Sequence, residues 1–274
     1  VNAEHQLSGL AALPDACGRL ALRLLKHRSV QRLGKIRQLG FASVRQQTRL
    51  QHTLASVELI AGVLAKAPNV SDDLRDHVIA AIALEDIGRA PFSNSLDAVF
   101  TGLPTKHGGG TSVDVERSVL VIDYLEQSER ILSESGLSLD VICRLLRGNI
   151  PWRKGGWLRP FLNGSLDIDR LAYVSADLAY ADGRVYDIGT LVKGIAVVGD
   201  RPVSVVDSSS IEAGVDFLLQ RGRLYQRVYY EPVKLALEHV VGLFLKKLWK
   251  FAETADDQWN DVREPKSVER FLSW

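Results

Sequence analysis

Apolar residues return every three to four positions along most of this chain, a period that dictates helices burying one stripe each. The segment 48–67 carries Leu50, Leu54, Val57, Ile60 and Leu64 on one stripe. The segment 71–88 opens on Ser71, a good N-cap, with two aspartates in its first turn, where the helix dipole favours negative charge. Residues 29–40 place Val30, Leu33, Ile36 and Leu39 at spacing three and end on Gly40, which predicts a further helix. Helices are also expected through residues 115–132, 166–183, 231–252 and 265–274, and Ser209-x-x-Glu212 reads as a capping box opening another. Pro91 suits a first helical turn. "GIAVVG" and "VSVVD", separated by "DRP", read as a β-hairpin over 194–207. The expected class is all-α with one small hairpin.

With 274 residues and 46% hydrophobic content, the chain can build a sizeable core. Its net charge of +1 supplies no electrostatic reason to expect nucleic acid or an anionic membrane as partner. The basic clusters "RLALRLLKHR" and "FLKKLWKF" carry helical apolar spacing and read as solvated helix faces. Cys17 and Cys143 lie within apolar helical patterns, so two buried thiols in a reducing cytoplasm are expected. No apolar run approaches the roughly 18 residues that span a bilayer, and no signal peptide is recognised.

Three polar features interrupt otherwise apolar helices: His52, the adjacent Glu85 and Asp86, and Asp169. One imidazole and three carboxylates form an N/O donor set suited to Mn, Fe or Mg rather than to a thiolate zinc site. Glu85 and Asp86 end an apolar helix, where the dipole prefers a cation. Two answers stay open. Arg89, four residues beyond Glu85, stands at the spacing of an ion pair, or Glu85 is itself a ligand to a metal.

The run "VQRLGKIRQLG…TRLQHTLASVELIAG…AAIALEDIGRAPFSNSLD…LDIDRLAYVSAD" resembles the HD-domain phosphohydrolases. It is most similar to the deoxynucleoside triphosphate triphosphohydrolases, the dGTPase and SAM-and-HD-domain dNTPase group. The likeness runs collinearly over roughly residues 28–230 and includes "FLLQRGRLYQRVYY". It implies a helical HD core over residues 1–190, followed by a hairpin and helices over 191–274 that pack on it.

By this resemblance the metal ligands would be His52, Glu85, Asp86 and Asp169, with Glu85 standing where the family has histidine. Gln38 and Leu39 match base- and sugar-facing residues. Arg49, Arg170 and Arg221 match phosphate-binding positions, and Tyr173 a sugar-proximal tyrosine. Asp177 matches an aspartate near the sugar hydroxyl; with Asp86 it is the carboxylate the resemblance leaves for catalysis. The family's catalytic histidines are missing: Arg89 and Asn94 stand at two of those positions, and a third falls near Asp114 or Val115.

The resulting expectation is a nucleotide-binding, dNTPase-like protein with a degenerate metal site and weak or no hydrolysis, assembling as a homo-oligomer or with a regulatory partner subunit; a blander reading is a helical scaffold whose motif remnants only pack. The alternative is an active phosphohydrolase of (d)NTPs or related phosphoesters that uses a divalent Mn, Fe or Mg ion.

Overall fold

A computed structural model describes residues 15–44, 46–65, 70–93, 113–149, 158–162, 164–183, 186, 188–198, 201–205, 208–255 and 272. Its long helices are α1 (Asp15–Lys26), α2 (Arg49–Ala65), α3 (Asp72–Leu84), α4 (Val113–Glu129) and α5 (Leu139–Leu146). There follow α6 (Ile168–Asp182), α7 (Ile188–Lys193), α8 (Ser208–Leu224) and α9 (Pro232–Ala255). Between α7 and α8 the chain forms an antiparallel hairpin, β1 (Ile195–Val198) with β2 (Arg201–Val205), in which Ile195 lies opposite Val205. The fold is all-α with a minor hairpin, as the apolar periodicity implies.

α3 is the central element. Every residue from His77 to Leu84 is buried, the pattern of a helix enclosed on all sides. It packs against α1, α2 and α5, and α2 also packs against α6. Ile60, Leu64, Ile79, Leu84, Ile122, Leu125 and Ile142 are completely enclosed there. His77 is a satisfied core histidine: Nδ1 donates to the Asp73 carbonyl at 2.7 Å, and Nε2 accepts from the Ser138 amide at 2.9 Å. Ser71 caps α3 by accepting from the Leu74 amide at 3.2 Å, and Asp167 caps α6 by accepting from the Arg170 amide at 2.8 Å. Gly183 ends α6 with φ of 68°, in the left-handed region. Cys17 and Cys143 are buried free thiols, and burial pushes the Cys17 thiol up to about 12.

Two local expectations are corrected. Residues 29–40 do not form one helix. A single turn at Arg28–Gln31 tightens into a 3₁₀ turn at Arg32–Lys35, and the chain then extends into a bridge between Arg37 and Thr48. The apolar spacing of three matches the 3₁₀ repeat better than the 3.6-residue period, and the run is too long for 3₁₀ geometry to hold. Ser209 lies inside α8, which opens at Ser208, so the expected capping box is shifted into the first turn. Pro91 opens no helix over the described residues 91–93. Asn94 lies outside the described residues, as does all of the expected helix at 265–274 except residue 272.

Candidate functional site

The site forms where α2, the end of α3, the start of α4 and the first turns of α6 meet. The bridge between Arg37 and Thr48 closes the 36–49 loop, with the Gln38 amide donating to the Gln47 carbonyl at 3.0 Å and the Arg49 amide to the Ile36 carbonyl at 2.7 Å. Arg49, first residue of α2, is thereby delivered into the core beneath the end of α3. Its Nη1 donates to Asp86 Oδ2 at 3.1 Å; its Nη2 donates to Ser93 Oγ at 2.7 Å and to the Gln38 carbonyl at 3.3 Å. Burial pulls the Arg49 pKa down, and the neighbouring Asp86 charge opposes that shift.

α3 stops at Leu84, and residues 85–88 form a turn. That turn is stapled to α4: Ser118 Oγ donates to the Glu85 carbonyl at 2.5 Å and accepts from the Gly88 amide at 3.0 Å. Only glycine fits at position 88, because a Cβ there would stand 2.3 Å from the Ser118 nitrogen. The Arg89 amide then returns to the Asp86 carbonyl at 2.8 Å, which sets the Arg89 side chain over Asp86 rather than over Glu85. Arg89 Nε donates to Asp86 Oδ1 at 3.0 Å, and its Nη2 pairs with Asp114.

Asp86 thus sits between two guanidiniums while only 5% exposed. Burial alone would raise its pKa; Arg49 and Arg89, with His52 beyond, overcome that and hold the carboxyl far below the usual range. The expected Glu85–Arg89 ion pair is not formed. The Glu85 carboxyl is instead pushed well above the ordinary range, first by burial and then by the charges of Asp169 and Asp86.

Across the site, His52 Nε2 donates to Asp169 Oδ1 at 2.9 Å from within α2, where the imidazole is 3% exposed. His52 Nδ1 is enclosed and has no hydrogen-bond partner among the described residues. Two turns along α6, the buried Asp177 accepts a hydrogen bond from Tyr229 Oη at 2.8 Å. Burial lifts the Asp177 carboxyl to about 6, although the tyrosine hydrogen bond works against the shift. Tyr229 belongs to a π-helical turn, Tyr225–Tyr229, that follows α8, and its ring meets Tyr173 edge-on with centroids 6.1 Å apart. Burial drives the Tyr173 hydroxyl up to about 12, with Arg221, Asp169 and Arg170 acting on it electrostatically. The Arg221 guanidinium lies 5.5 Å from the Tyr225 ring centroid and pairs with no carboxylate among the described residues.

The three arginines named in the sequence therefore do different things. Arg49 is consumed by Asp86, Ser93 and Gln38. Arg170 donates to the Gly164 carbonyl at 2.7 Å and to Asp167, so it fastens the start of its own helix. Arg221 is left facing the tyrosines. Gln38 is buried and contributes its backbone to the cluster, while Leu39 packs on the core and its amide donates to Gln46 Oε1 at 2.6 Å. Ser93 and Tyr229 were not singled out by sequence reasoning. Phe92 and Ser93 hold φ of 67° and 50°, uncommon for non-glycine residues. The only hint was the "APFS" run after the acidic pair. Tyr229 was masked by its place in "RVYY", where the π turn that aims it has no local signature.

As arranged, the four proposed ligands do not fit a divalent ion. Both Asp86 oxygens face guanidinium nitrogens, His52 Nε2 is directed at Asp169, and among the described residues no group of three or more His, Cys, Asp or Glu side chains can hold a metal. The Arg49 and Arg89 guanidiniums supply the positive charge that an ion would bring to Asp86.

No family model matches the chain. Among known sequences it is 26% identical over 234 residues to Uncharacterized protein YwfO of Bacillus subtilis (strain 168), covering 82% of this chain and 51% of that protein. It is 25% identical over 228 residues to Uncharacterized protein MG461 homolog of Mycoplasma pneumoniae, covering 78% and 53%. The chain thus spans about half the length of these relatives. Among solved structures, a phosphohydrolase from Bacteroides thetaiotaomicron VPI-5482 superposes with a TM-score of 0.71 at 23% identity, over 91% of this chain and 64% of that one. A hypothetical protein from Aquifex aeolicus superposes with a TM-score of 0.71 at 22% identity, over 95% and 65%. The chain has the fold of a solved phosphohydrolase. Among the described residues no helix is long and apolar enough to cross a membrane.

Proposed function

We propose that this chain is an HD-type phosphohydrolase-like protein that binds a nucleotide or related phosphoester and turns it over weakly or not at all. The observation that carries this reading is the double clamp on Asp86, with guanidinium nitrogens at 3.1 and 3.0 Å on its two oxygens. A carboxylate so engaged is neither a free metal ligand nor a general base, since both oxygens and the low pKa are committed to the arginines. Ligand binding falls to the tyrosine side of the site. Arg221 offers a cation to phosphate, Tyr173 and Tyr229 offer hydroxyls and ring edges, and Asp177 offers a carboxyl oxygen with no partner among the described residues. The motif resemblance supports a nucleotide as the ligand class, and a regulatory or assembly role follows from binding without turnover.

One observation favours a second reading, a metal-dependent (d)NTP phosphohydrolase. His52 Nε2 meets Asp169 at 2.9 Å, and the Glu85 carboxyl is pushed up by burial and then by the charges of Asp169 and Asp86. A divalent ion there would supply Lewis-acid activation of water or phosphorus only in a rearranged site, since the ligands as they stand do not fit it.

Calorimetric titration with dNTPs, together with elemental analysis of the purified protein, separates the two. The proposal expects binding that weakens at least about tenfold in Arg221→Ala, with little stoichiometric metal. Near one metal per chain, with manganese-stimulated release of phosphate or triphosphate, establishes the second reading instead.

A further inference from the structure

Beside the start of the 36–49 loop lies a cavity of about 360 Å³, within the size range of small-molecule sites. It shares no lining residue with the cluster around Asp86 and Asp177, and Gln38 and Leu39 do not line it. Part of its wall is cationic. The 3₁₀ turn brings Arg32 and Lys35 onto one face, because side chains three apart eclipse in that geometry. The extended Ile36 then carries Arg37 to the same cavity. Arg32 is buried and anchored, its Nη2 donating to the Ile87 carbonyl at 2.8 Å. Burial, and then the charge of Arg117, pull its pKa down to about 10, so it remains a cation at neutral pH. Lys35 and Arg37 are exposed, and neither side chain pairs with a carboxylate among the described residues. No Asp or Glu lines the cavity among those residues. A Cβ on Gly40 would stand 3.5 Å from Glu238 Oε1, but that carboxylate is held by Lys234 at 2.9 Å.

The other part of the wall is aromatic. The rings of Phe41 and Phe92 lie nearly parallel, with 11° between their planes and 5.9 Å between centroids. Phe92 leaves 49% of its surface exposed while holding φ of 67°, a backbone conformation that a bulky residue rarely adopts. An exposed ring on a strained backbone, beside two cations without carboxylates, points to a ligand that both would contact.

We propose that this pocket binds a small organic phosphate bearing a planar ring, its phosphoryl oxygens taken by Lys35 and Arg37 above Arg32 and its ring laid against Phe92. A guanidinium fork matches phosphate oxygens, and an exposed ring stacks with a planar group. Three cations suit a dianion better than a single carboxylate. Single-stranded nucleic acid uses similar chemistry, but it needs a groove that tracks several nucleotides rather than one cavity of this volume.

Amide NMR of the full chain, titrated separately with phenyl phosphate, inorganic phosphate and phenol, is the test. Phenyl phosphate should shift the amides of Lys35, Arg37, Gly40, Phe41 and Phe92 saturably, and bind about fivefold more tightly than inorganic phosphate. Phenol should not saturate. Lys35→Ala with Arg37→Ala should weaken phenyl phosphate at least about tenfold, with the melting temperature unchanged because both side chains are exposed. Phe92→Gly suits the positive φ and keeps the backbone path; it should reduce phenyl phosphate to the affinity of inorganic phosphate. The absence of saturable shifts at millimolar probe, or binding indifferent to the double alanine variant, overturns the proposal. Shifts that survive that variant and vanish in Arg221→Ala belong to the tyrosine side of the other site and overturn it equally. Tighter, length-dependent binding of single-stranded oligothymidylate by these same residues replaces the small ligand with nucleic acid.

Discussion

Asp86, in the turn after α3, and Asp177, within α6, are the same residue type, both buried beside one site, yet their environments drive them in opposite directions. Asp86 is 5% exposed between two guanidiniums and stays ionised. Asp177 is 1% exposed beneath a tyrosine hydroxyl, and burial lifts it to about 6. Burial penalises both charges; the difference is whether a neighbour carries a full opposite charge or only a dipole.

The comparison breaks most visibly if the clamp is opened. Arg49→Met leaves Asp86 buried with one guanidinium fewer, and a loss of about 3–5 kcal/mol is expected in urea denaturation. Adding Asp86→Leu to that variant should recover part of the loss, because the under-compensated charge is then gone while Arg89 keeps its pairing with Asp114. If Arg49→Met alone is neutral, the clamp does not hold the fold.

A smaller effect comes from Asp177. Burial lifts its folded pKa to about 6 from the ordinary aspartate value of 3.8, so between those pH values the native state keeps a proton that the unfolded chain has lost. The stabilisation is complete below the lower value and gone above the upper one. Asp177→Asn should flatten the stability decline across that window by up to about 3 kcal/mol, read as denaturation midpoints against pH. Asp86 works with the opposite sign: its stabilisation is complete above the unfolded carboxyl pKa and declines steadily as pH falls from there toward the depressed folded value. The smallest change is Tyr229→Phe, which removes one hydrogen bond to Asp177 and should cost about 1 kcal/mol. It should also move the carboxyl's apparent pKa further upward, and an unchanged titration by NMR would show that the tyrosine does not bear on it.

The long helices were legible because α2 and α6 declare a buried stripe in the spacing of Val57, Ile60, Leu64, Leu171 and Val174, while α3 is a capped apolar run buried all round. The hairpin was legible for the complementary reason, two short β-branched runs around a turn. The 29–40 segment misled because its spacing of three imitates a helix face. Within the site, the meeting of His52 with Asp169 was anticipated through the family resemblance, not through any local pattern. What could not be read was which partner each charge takes. Arg89 is four residues from Glu85 and three from Asp86, and the Gly88 turn against Ser118 decides between them. That decision is made by backbone packing from a helix some thirty residues away.

The clamp on Asp86 also shapes which changes this chain can accept one at a time. Replacing Arg49 or Arg89 alone leaves the buried Asp86 with only one guanidinium, and replacing Asp86 alone leaves Arg49 buried without its carboxylate partner. Each intermediate is less stable than either end state, so substitutions here are strongly non-additive. A lineage, or a designer, wishing to convert the position to a metal ligand must alter at least two of the three residues together. The three residues behave as a mutational ratchet, easily retained and hard to leave by single steps.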